Sequence, residues 1–211
     1  MSKNQNEVNN LNPAALASEA ANVRQFKISA KSLGIKSPLS FQLADIAIIS
    51  MLTALYIVLS RFLSINTQVV KIGFSFLPVA IAAYFSGIVG AAVVSGLGDL
   101  LGALLFPFGP FFPGYTVTAV LLGIIFGAAF YREYRFRNTV LAVVTTQILC
   151  TLFLNTLWTT LLYAKKGFWA YLLTRLPQSL IMTAVQILLI HLVLTAIEQA
   201  PALKKIKKLY E

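Results

Sequence analysis

Polar side chains that can bind a small molecule lie inside or beside the apolar stretches of this chain. Asp99 lies within one stretch, where a charge marks a functional site by default because its burial is costly. Asn155 and Trp158 lie within another, three residues apart. Arg175 and Gln178 have the same spacing near the start of the last stretch. Carboxylate, amide and guanidinium groups bind the donors and acceptors of a flat polar ring, so these residue types indicate a ligand-binding site.

Two cations and an unusual loop extend this set. Arg61 and Lys71 lie near the ends of apolar stretches, and their positive charge suits an anionic ligand. The segment Phe106–Gly114 holds three prolines, two glycines and four phenylalanines in nine residues, which prevents a helix but keeps the loop apolar. Two interpretations stay open for this loop. It is either a stiff connection in the headgroup region or a rigid aromatic wall over an outward-facing pocket, whose rings stack on a flat ligand.

Motifs of catalysis and nucleotide binding are absent from the sequence. It contains no G-x-x-x-x-G-K-[ST], no G-x-G-x-x-G, no H-E-x-x-H and no G-x-S-x-G. A single cysteine, Cys150, and a single histidine, His191, both lie in apolar runs. They leave no disulfide framework and no cysteine-based metal site. The sequence therefore predicts neither an enzyme nor a cofactor.

The elements that position these residues follow from the composition. Of 211 residues, 58% are hydrophobic and 11% are charged, against about 25% charged in a typical soluble domain. A soluble chain of this size cannot bury so much apolar surface, which excludes a soluble enzyme and a disordered protein. Six apolar stretches approach the roughly 20 residues with which a helix crosses a bilayer. They are Leu43–Leu63, Val69–Phe85, Ile88–Phe106, Tyr115–Tyr131, Thr139–Tyr163 and Leu172–Ile197. The sequence thus predicts an all-α integral membrane protein with six transmembrane helices.

The distribution of charge orients these spans. The net charge is +10, but the cations lie in tails and short loops, which is typical of membrane topology and speaks against nucleic acid as a partner. With both termini in the cytoplasm, 12 of the 17 cations lie inside and 5 outside, in agreement with the positive-inside rule. Residues 1–40 are then a polar cytoplasmic extension, disordered or weakly amphipathic. Residues 41–200 form the six-helix substrate-binding domain, and 201–211 a basic cytoplasmic tail.

Under this topology the polar candidates share one side of the membrane. The residues predicted in the outer half are Arg61, Lys71, Asp99, Asn155, Trp158, Arg175 and Gln178. Each alone has a structural explanation, because amides join helices, tryptophan occupies interfacial belts and long cations snorkel. Together they predict a pocket that opens to the outside. Thr159, four residues after Asn155, shares its helix face.

Small residues in the first span point to a second kind of contact. Ser50 and Ala54 are four residues apart, a small-xxx-small pair that lets another helix approach closely. We interpret this pair as a surface for a partner protein. The glycines and alanines of the third span have the simpler explanation of packing within the chain.

Several runs of the sequence have the pattern of a known family. They are Leu55–Phe62, Lys71–Pro78, Gly96–Pro107, Phe108–Thr118, Asn155–Tyr163 and Arg175–Gln178. Together these runs resemble the folate-specific substrate-binding S component of energy-coupling-factor vitamin transporters. The resemblance covers residues from about 40 to 200, and the proline–phenylalanine loop is its most specific piece.

The resemblance implies a subunit of the bacterial cell membrane that captures folate or a reduced folate from outside with high affinity. It implies docking on a module made of a transmembrane coupling protein and two cytoplasmic ATPases, which hydrolyse the ATP. It also implies a six-helix fold whose outer pocket is closed by the loops between the first and second and between the third and fourth spans. In the family an Ala-xxx-Ala motif of the first span contacts the coupling protein, and Ser50 and Ala54 match it.

The candidate substrate-binding residues lie in these same runs. They are Arg61, Lys71, Phe74, Asp99, Phe108, Phe112, Tyr115, Thr118, Asn155, Trp158, Arg175 and Gln178. By their chemistry the carboxylate and amides suit the pterin ring of folate, and the cations suit its glutamate tail. An S component for another vitamin or precursor, such as pantothenate or queuosine, stays open. A membrane-embedded enzyme or a self-sufficient channel is a third hypothesis, which the one-sided polar cluster disfavours.

Overall fold

The fold is helical, with one short β-hairpin. A computed structural model describes residues 43–66, 71–107, 109, 111–131, 134–163 and 167–200. The elements are α1 (Leu43–Arg61), β1 (Ser64–Asn66), β2 (Lys71–Gly73), α2 (Phe76–Leu105), α3 (Pro113–Phe130), α4 (Phe136–Thr146), a π-helical stretch (Gln147–Leu154), α5 (Asn155–Tyr163) and α6 (Phe168–Gln199). By length and composition, α2, α3, the continuous helix Phe136–Leu162 and α6 can each cross a membrane. The prediction of a helical membrane protein is confirmed in this form.

The predicted second span begins later than the sequence indicated. We expected a helix over Val69–Phe85, but Lys71–Gly73 pairs antiparallel with Ser64–Asn66, and α2 begins only at Phe76. The pairing has little room at one end, because a β-carbon at Gly73 would lie 2.9 Å from the Cβ of Ser64. The short hairpin therefore replaces the first turns of the expected helix.

Helix α2 folds back on itself at Gly87. This residue has φ 66° and ψ −155°, a conformation essentially reserved for glycine. Tyr56 of α1 hydrogen-bonds to the side chain of Ser75 and also contacts Gly98, where a β-carbon would lie 2.8 Å from its Cγ. A straight helix would hold Ser75 and Gly98 roughly 35 Å apart, beyond the reach of one tyrosine. The limbs 76–86 and 88–105 therefore lie side by side, as the predicted break at Ser86-Gly87 requires.

Large apolar side chains fill the interior and also cover the outside. Val79, Phe126 and Phe130 are fully buried between the limbs of α2 and α3. On α6, Leu180 and Ile181 are 70% and 66% exposed. An apolar exterior suits lipid rather than water, which agrees with the composition.

The π-helical stretch turns the end of its helix toward the interior. Gln147 is buried and marks the inward face of this helix. In a regular α-helix the same face would return after four turns, about 14 residues on, at Leu161. Leu161 is instead 62% exposed, and Thr156 and Thr159 are fully buried. Because a π-helix has more residues in each turn, the stretch Gln147–Leu154 shifts the inward face onto these threonines.

Helix α6 begins before the predicted sixth span. We placed Arg175 near the start of this span, but the helix begins at Phe168, and Pro177 lies inside it. Proline leaves one carbonyl of the preceding turn without its usual helical donor. Because the helix begins earlier than predicted, Arg175 lies away from its end, at a buried position.

Candidate ligand-binding site

The polar candidates meet at one end of the helical bundle, around the first turns of α3. Thr116 of α3 donates to Asp99 Oδ2 on α2 at 3.0 Å. Tyr115, its neighbour, bonds to Thr159 of α5 at 3.0 Å between the hydroxyl oxygens. Arg175 of α6 reaches the same threonine. The structure thus joins Asp99 to the first turn of α3, and Tyr115 and Arg175 to Thr159.

Thr159 is the centre of a hydrogen-bond network that joins three helices. Its hydroxyl accepts from Arg175 Nη2 at 2.7 Å and donates to the backbone oxygen of Asn155 at 2.6 Å. A hydroxyl has one proton and two lone pairs. Since the proton goes to Asn155, Tyr115 must donate its own proton to Thr159, which uses the second lone pair.

An aromatic wall stands beside this network. The ring of Phe112 lies 5.4 Å from that of Trp158 and 6.2 Å from that of Tyr115, between centroids. Trp158 Nε1 donates to Thr118 Oγ1 at 3.0 Å, which fixes the indole. Gly114 allows this packing, because a β-carbon there would lie 2.7 Å from Trp158 Cδ2. The structure thus places part of the proline–phenylalanine loop against the predicted tryptophan.

Two buried polar atoms of this cluster have no hydrogen-bond partner in the part of the chain that the structure describes. They are Arg175 Nε, a donor, and Asn155 Oδ1, an acceptor. Arg175 is only 8% exposed, and Tyr115 and Tyr171 lie near its charge. An unpartnered buried polar group costs about 1–3 kcal/mol. A ligand that offers both an acceptor and a donor would satisfy the pair.

A second polar group lies on the α1 and α2 side of the same end. Asp99 is half-buried and bonds to Thr116, and Tyr56 lies close to both Asp99 and Arg61. Arg61 packs along α2, where a β-carbon at Gly102 would lie 2.9 Å from its Nε. The predicted cation and carboxylate therefore lie in the same region, near a buried tyrosine.

The other predicted residues lie at the margins or outside the described part. Gln178 is half-buried one turn after Arg175 on α6. Phe74 is 38% exposed and its ring lies 6.5 Å from that of Phe76. Lys71 lies in β2, where the structure describes its backbone but not its side chain. Phe108 lies outside the described residues.

The sequence interpretation left two contributors out of the candidate set. Thr159 could have been included, because its spacing of four from Asn155 places both on one helix face. Tyr56 gave no such signal, since a tyrosine in an apolar helix is common at membrane interfaces. Its role depends on the fold-back at Gly87, which brings Ser75 and Gly98 to it.

An apolar groove adjoins the site without including the arginine. It has a volume of about 370 Å³ and lies between Leu100 on α2 and Thr116, Val117 and Val120 on α3. Only Thr116 links it to the polar network. Its apolar lining resembles the rest of the lipid-facing surface, so the polar cluster and not this groove is the candidate site.

The sequence also matches the model of a known protein family. A family model described as the substrate-specific component of ECF transporters matches residues 44–194, from α1 into α6. The chain belongs to this family. The ECF substrate-specific component is a transport subunit of the membrane, as the sequence resemblance implied, and the prediction of a multi-pass membrane transporter subunit is confirmed.

Known relatives of this ECF component share a single description. The chain is 34% identical over 155 residues to the folate transporter FolT of Clostridium novyi, which covers 73% of this chain and 90% of that one. It is 27% identical over 146 residues to the folate transporter FolT of Leuconostoc mesenteroides, covering 66% and 78%. A crystal structure of FolT bound with folic acid superposes with a TM-score of 0.68 at 29% identity, covering 72% of this chain and 93% of that one.

Proposed function

We propose that this chain binds folate from outside the cell and delivers it across the membrane as the substrate-specific component of an ATP-driven ECF importer. One observation carries the ligand assignment. Buried Arg175 Nε and Asn155 Oδ1 lack partners among the described residues and lie beside the wall of Phe112 and Trp158. The similarity to the FolT proteins supports the same ligand.

The chemistry of folate suits this cluster group by group. Its pterin is a flat ring with donors and acceptors on its edge, which can stack on the aromatic wall and bond to Asn155. Its glutamate tail is anionic, and the candidate cations that can pair with it are Arg61, Lys71 and Arg175. A buried guanidinium with an open donor favours an acceptor or an anion at close range.

Delivery requires the rest of the transporter. We propose that both termini are cytoplasmic and that six passages cross the membrane: α1, the two limbs of α2, α3, the helix from α4 through α5, and α6. Ser50 and Ala54 are both exposed on α1, between the exposed apolar side chains of Ile46 and Leu55. This small, apolar surface suits a helix of the coupling protein. The two ATPases supply the hydrolysis.

Direct binding measurements test the ligand. The full chain is purified in detergent and titrated calorimetrically with folate, a reduced folate, a bare pterin, pantothenate and queuosine. We expect the folates to bind in the nanomolar range and the pterin more weakly, with no heat from pantothenate or queuosine. Tight binding of either of these two without folate binding would assign the chain to another vitamin and contradict the proposal.

A further inference from the structure

The side chain of Thr159 is too buried to touch a ligand, yet it holds two side chains that can. Its exposure is 0%, whereas Tyr115 is half-buried and Arg175 keeps 8% of its surface exposed. We propose that Thr159 is a positioning residue that orients Arg175 and Tyr115 toward the ligand. This inference rests on the proposed function, because it concerns the same site.

The donor and acceptor pattern of the site follows from the proton of Thr159. That proton is given to the Asn155 carbonyl at 2.6 Å, so the hydroxyl oxygen can only accept from Arg175 and Tyr115. Tyr115 donates its hydroxyl proton in this bond, so toward a ligand its oxygen can act only as an acceptor. Arg175 uses one Nη2 proton in its bond to Thr159, which holds the planar guanidinium in place while Nε has no partner among the described residues.

The placement of Thr159 depends on the π-helical stretch before it. Without the shift introduced over Gln147–Leu154, the inward position of this helix would fall near Leu161, which is 62% exposed. A buried threonine hydroxyl that bonds across to two other helices needs this rotation. π-helical segments occur often at functional sites, which agrees with a role in shaping this one.

Substitution of Thr159 separates positioning from packing. Thr159→Val keeps the shape but removes the hydroxyl, whereas Thr159→Ser keeps the hydroxyl. The matched control is Thr160→Val, because among the described residues the Thr160 hydroxyl bonds to the Thr156 carbonyl of its own helix, at 2.8 Å, and to no other helix. We expect the valine variant to bind folate about tenfold more weakly, and the serine and control variants to stay within about twofold of the parent.

A double-mutant cycle shows whether the effect passes through Arg175. If Thr159 acts by orienting the arginine, Thr159→Val should cost much less folate affinity in an Arg175→Ala background than in the parent. A loss of equal size in both backgrounds, or no loss in the parent, would overturn the inference. If the valine variant does not give folded protein, as judged by thermal unfolding in detergent, Thr159→Ala takes its place.

The outcomes also separate this inference from the function on which it rests. Failure of the parent and of Thr160→Val to bind folate would overturn the proposed function and the inference with it. Folate binding by the parent that is unchanged in Thr159→Val and Thr159→Ala would overturn only the positioning role. Weak binding that is not restored by Thr159→Ser would also overturn it, because the serine hydroxyl can make the same bonds.

Discussion

Trp158 of α5 donates its indole N–H to the hydroxyl of Thr118 on α3, across 3.0 Å. A second bond joins the same two helices in the opposite sense, from Tyr115 of α3 to Thr159 of α5, also at 3.0 Å. Each helix thus supplies one aromatic donor and one threonine acceptor. This reciprocal pair fixes the aromatic wall relative to the buried arginine, so the separation of these two features of the proposed site is set by the fold.

Removing either feature should weaken ligand binding in a distinguishable way. A stacked aromatic contributes about 0.5–1.5 kcal/mol beyond its burial, and a hydrogen bond to a charged group about 1.5–3 kcal/mol. Trp158→Ala and Arg175→Ala should therefore each weaken folate binding by about tenfold to a few hundredfold in calorimetry. We expect loss of Trp158 to weaken a bare pterin as much as folate, and loss of Arg175 to weaken folate more than the pterin.

Matched variants of the same residue types provide the controls. Trp169 is 73% exposed on α6 and Arg137 is exposed on α4, so alanine at either should leave both affinities unchanged. Equal losses for folate and pterin in Arg175→Ala would place the arginine at the pterin end. Full binding by both site variants, in folded protein, would move the pocket to other helices.

Energy coupling should depend on the small exposed pair of α1. Replacing Ser50 and Ala54 together by leucine adds bulk where a partner helix would approach, but not inside the chain, since both are exposed. We expect folate binding by the purified variant to equal the parent and ATP-dependent uptake in cells to be lost. Leucine at Ala128 and Ala184, exposed alanines of α3 and α6, is the control and should leave uptake intact. Normal uptake by the α1 variant would contradict the docking role.

The sequence predicted the helical membrane class, because the length of each apolar stretch can be counted directly along the chain. The hairpin Lys71–Gly73 was missed, since a three-residue strand carries too few residues for a periodic pattern. The face that Thr159 shares with Asn155 was predicted from their spacing, but its inward orientation was not. That orientation depends on a π-helical stretch, and a pattern with a period of 3.6 residues counted from Gln147 assigns the inner face to Leu161.

Membrane topology is a prediction that labelling in intact cells can check. Cys150 is 1% exposed and is first replaced by alanine, which leaves a background without thiols. A cysteine at Ser2 or at Lys208 should then escape an impermeant maleimide, because both termini are predicted in the cytoplasm. A cysteine at Gly109, exposed in the loop between α2 and α3 at the ligand end, should react. Labelling of either terminus would contradict the orientation with six spans.

The fold-back of α2 should make Gly87 difficult to replace by any residue that carries a β-carbon. Its φ of 66° and ψ of −155° strain any residue with a β-carbon, at a cost of about 1–3 kcal/mol. Gly87→Ala should therefore lower the thermal unfolding temperature in detergent. It should also weaken folate binding, because the fold-back brings Ser75 and Gly98 to Tyr56 beside the site.

A second glycine, Gly167, is the matched control for this substitution. Gly167 precedes α6 with φ −64°, and a β-carbon there would meet nothing within 4 Å. Gly167→Ala should leave both the unfolding temperature and the folate affinity unchanged, because neither the backbone nor the packing opposes it. An unfolding temperature of Gly87→Ala equal to that of Gly167→Ala would show that the turn at Gly87 does not hold the limbs of α2 together. An equal folate affinity would show that this turn does not affect the ligand site.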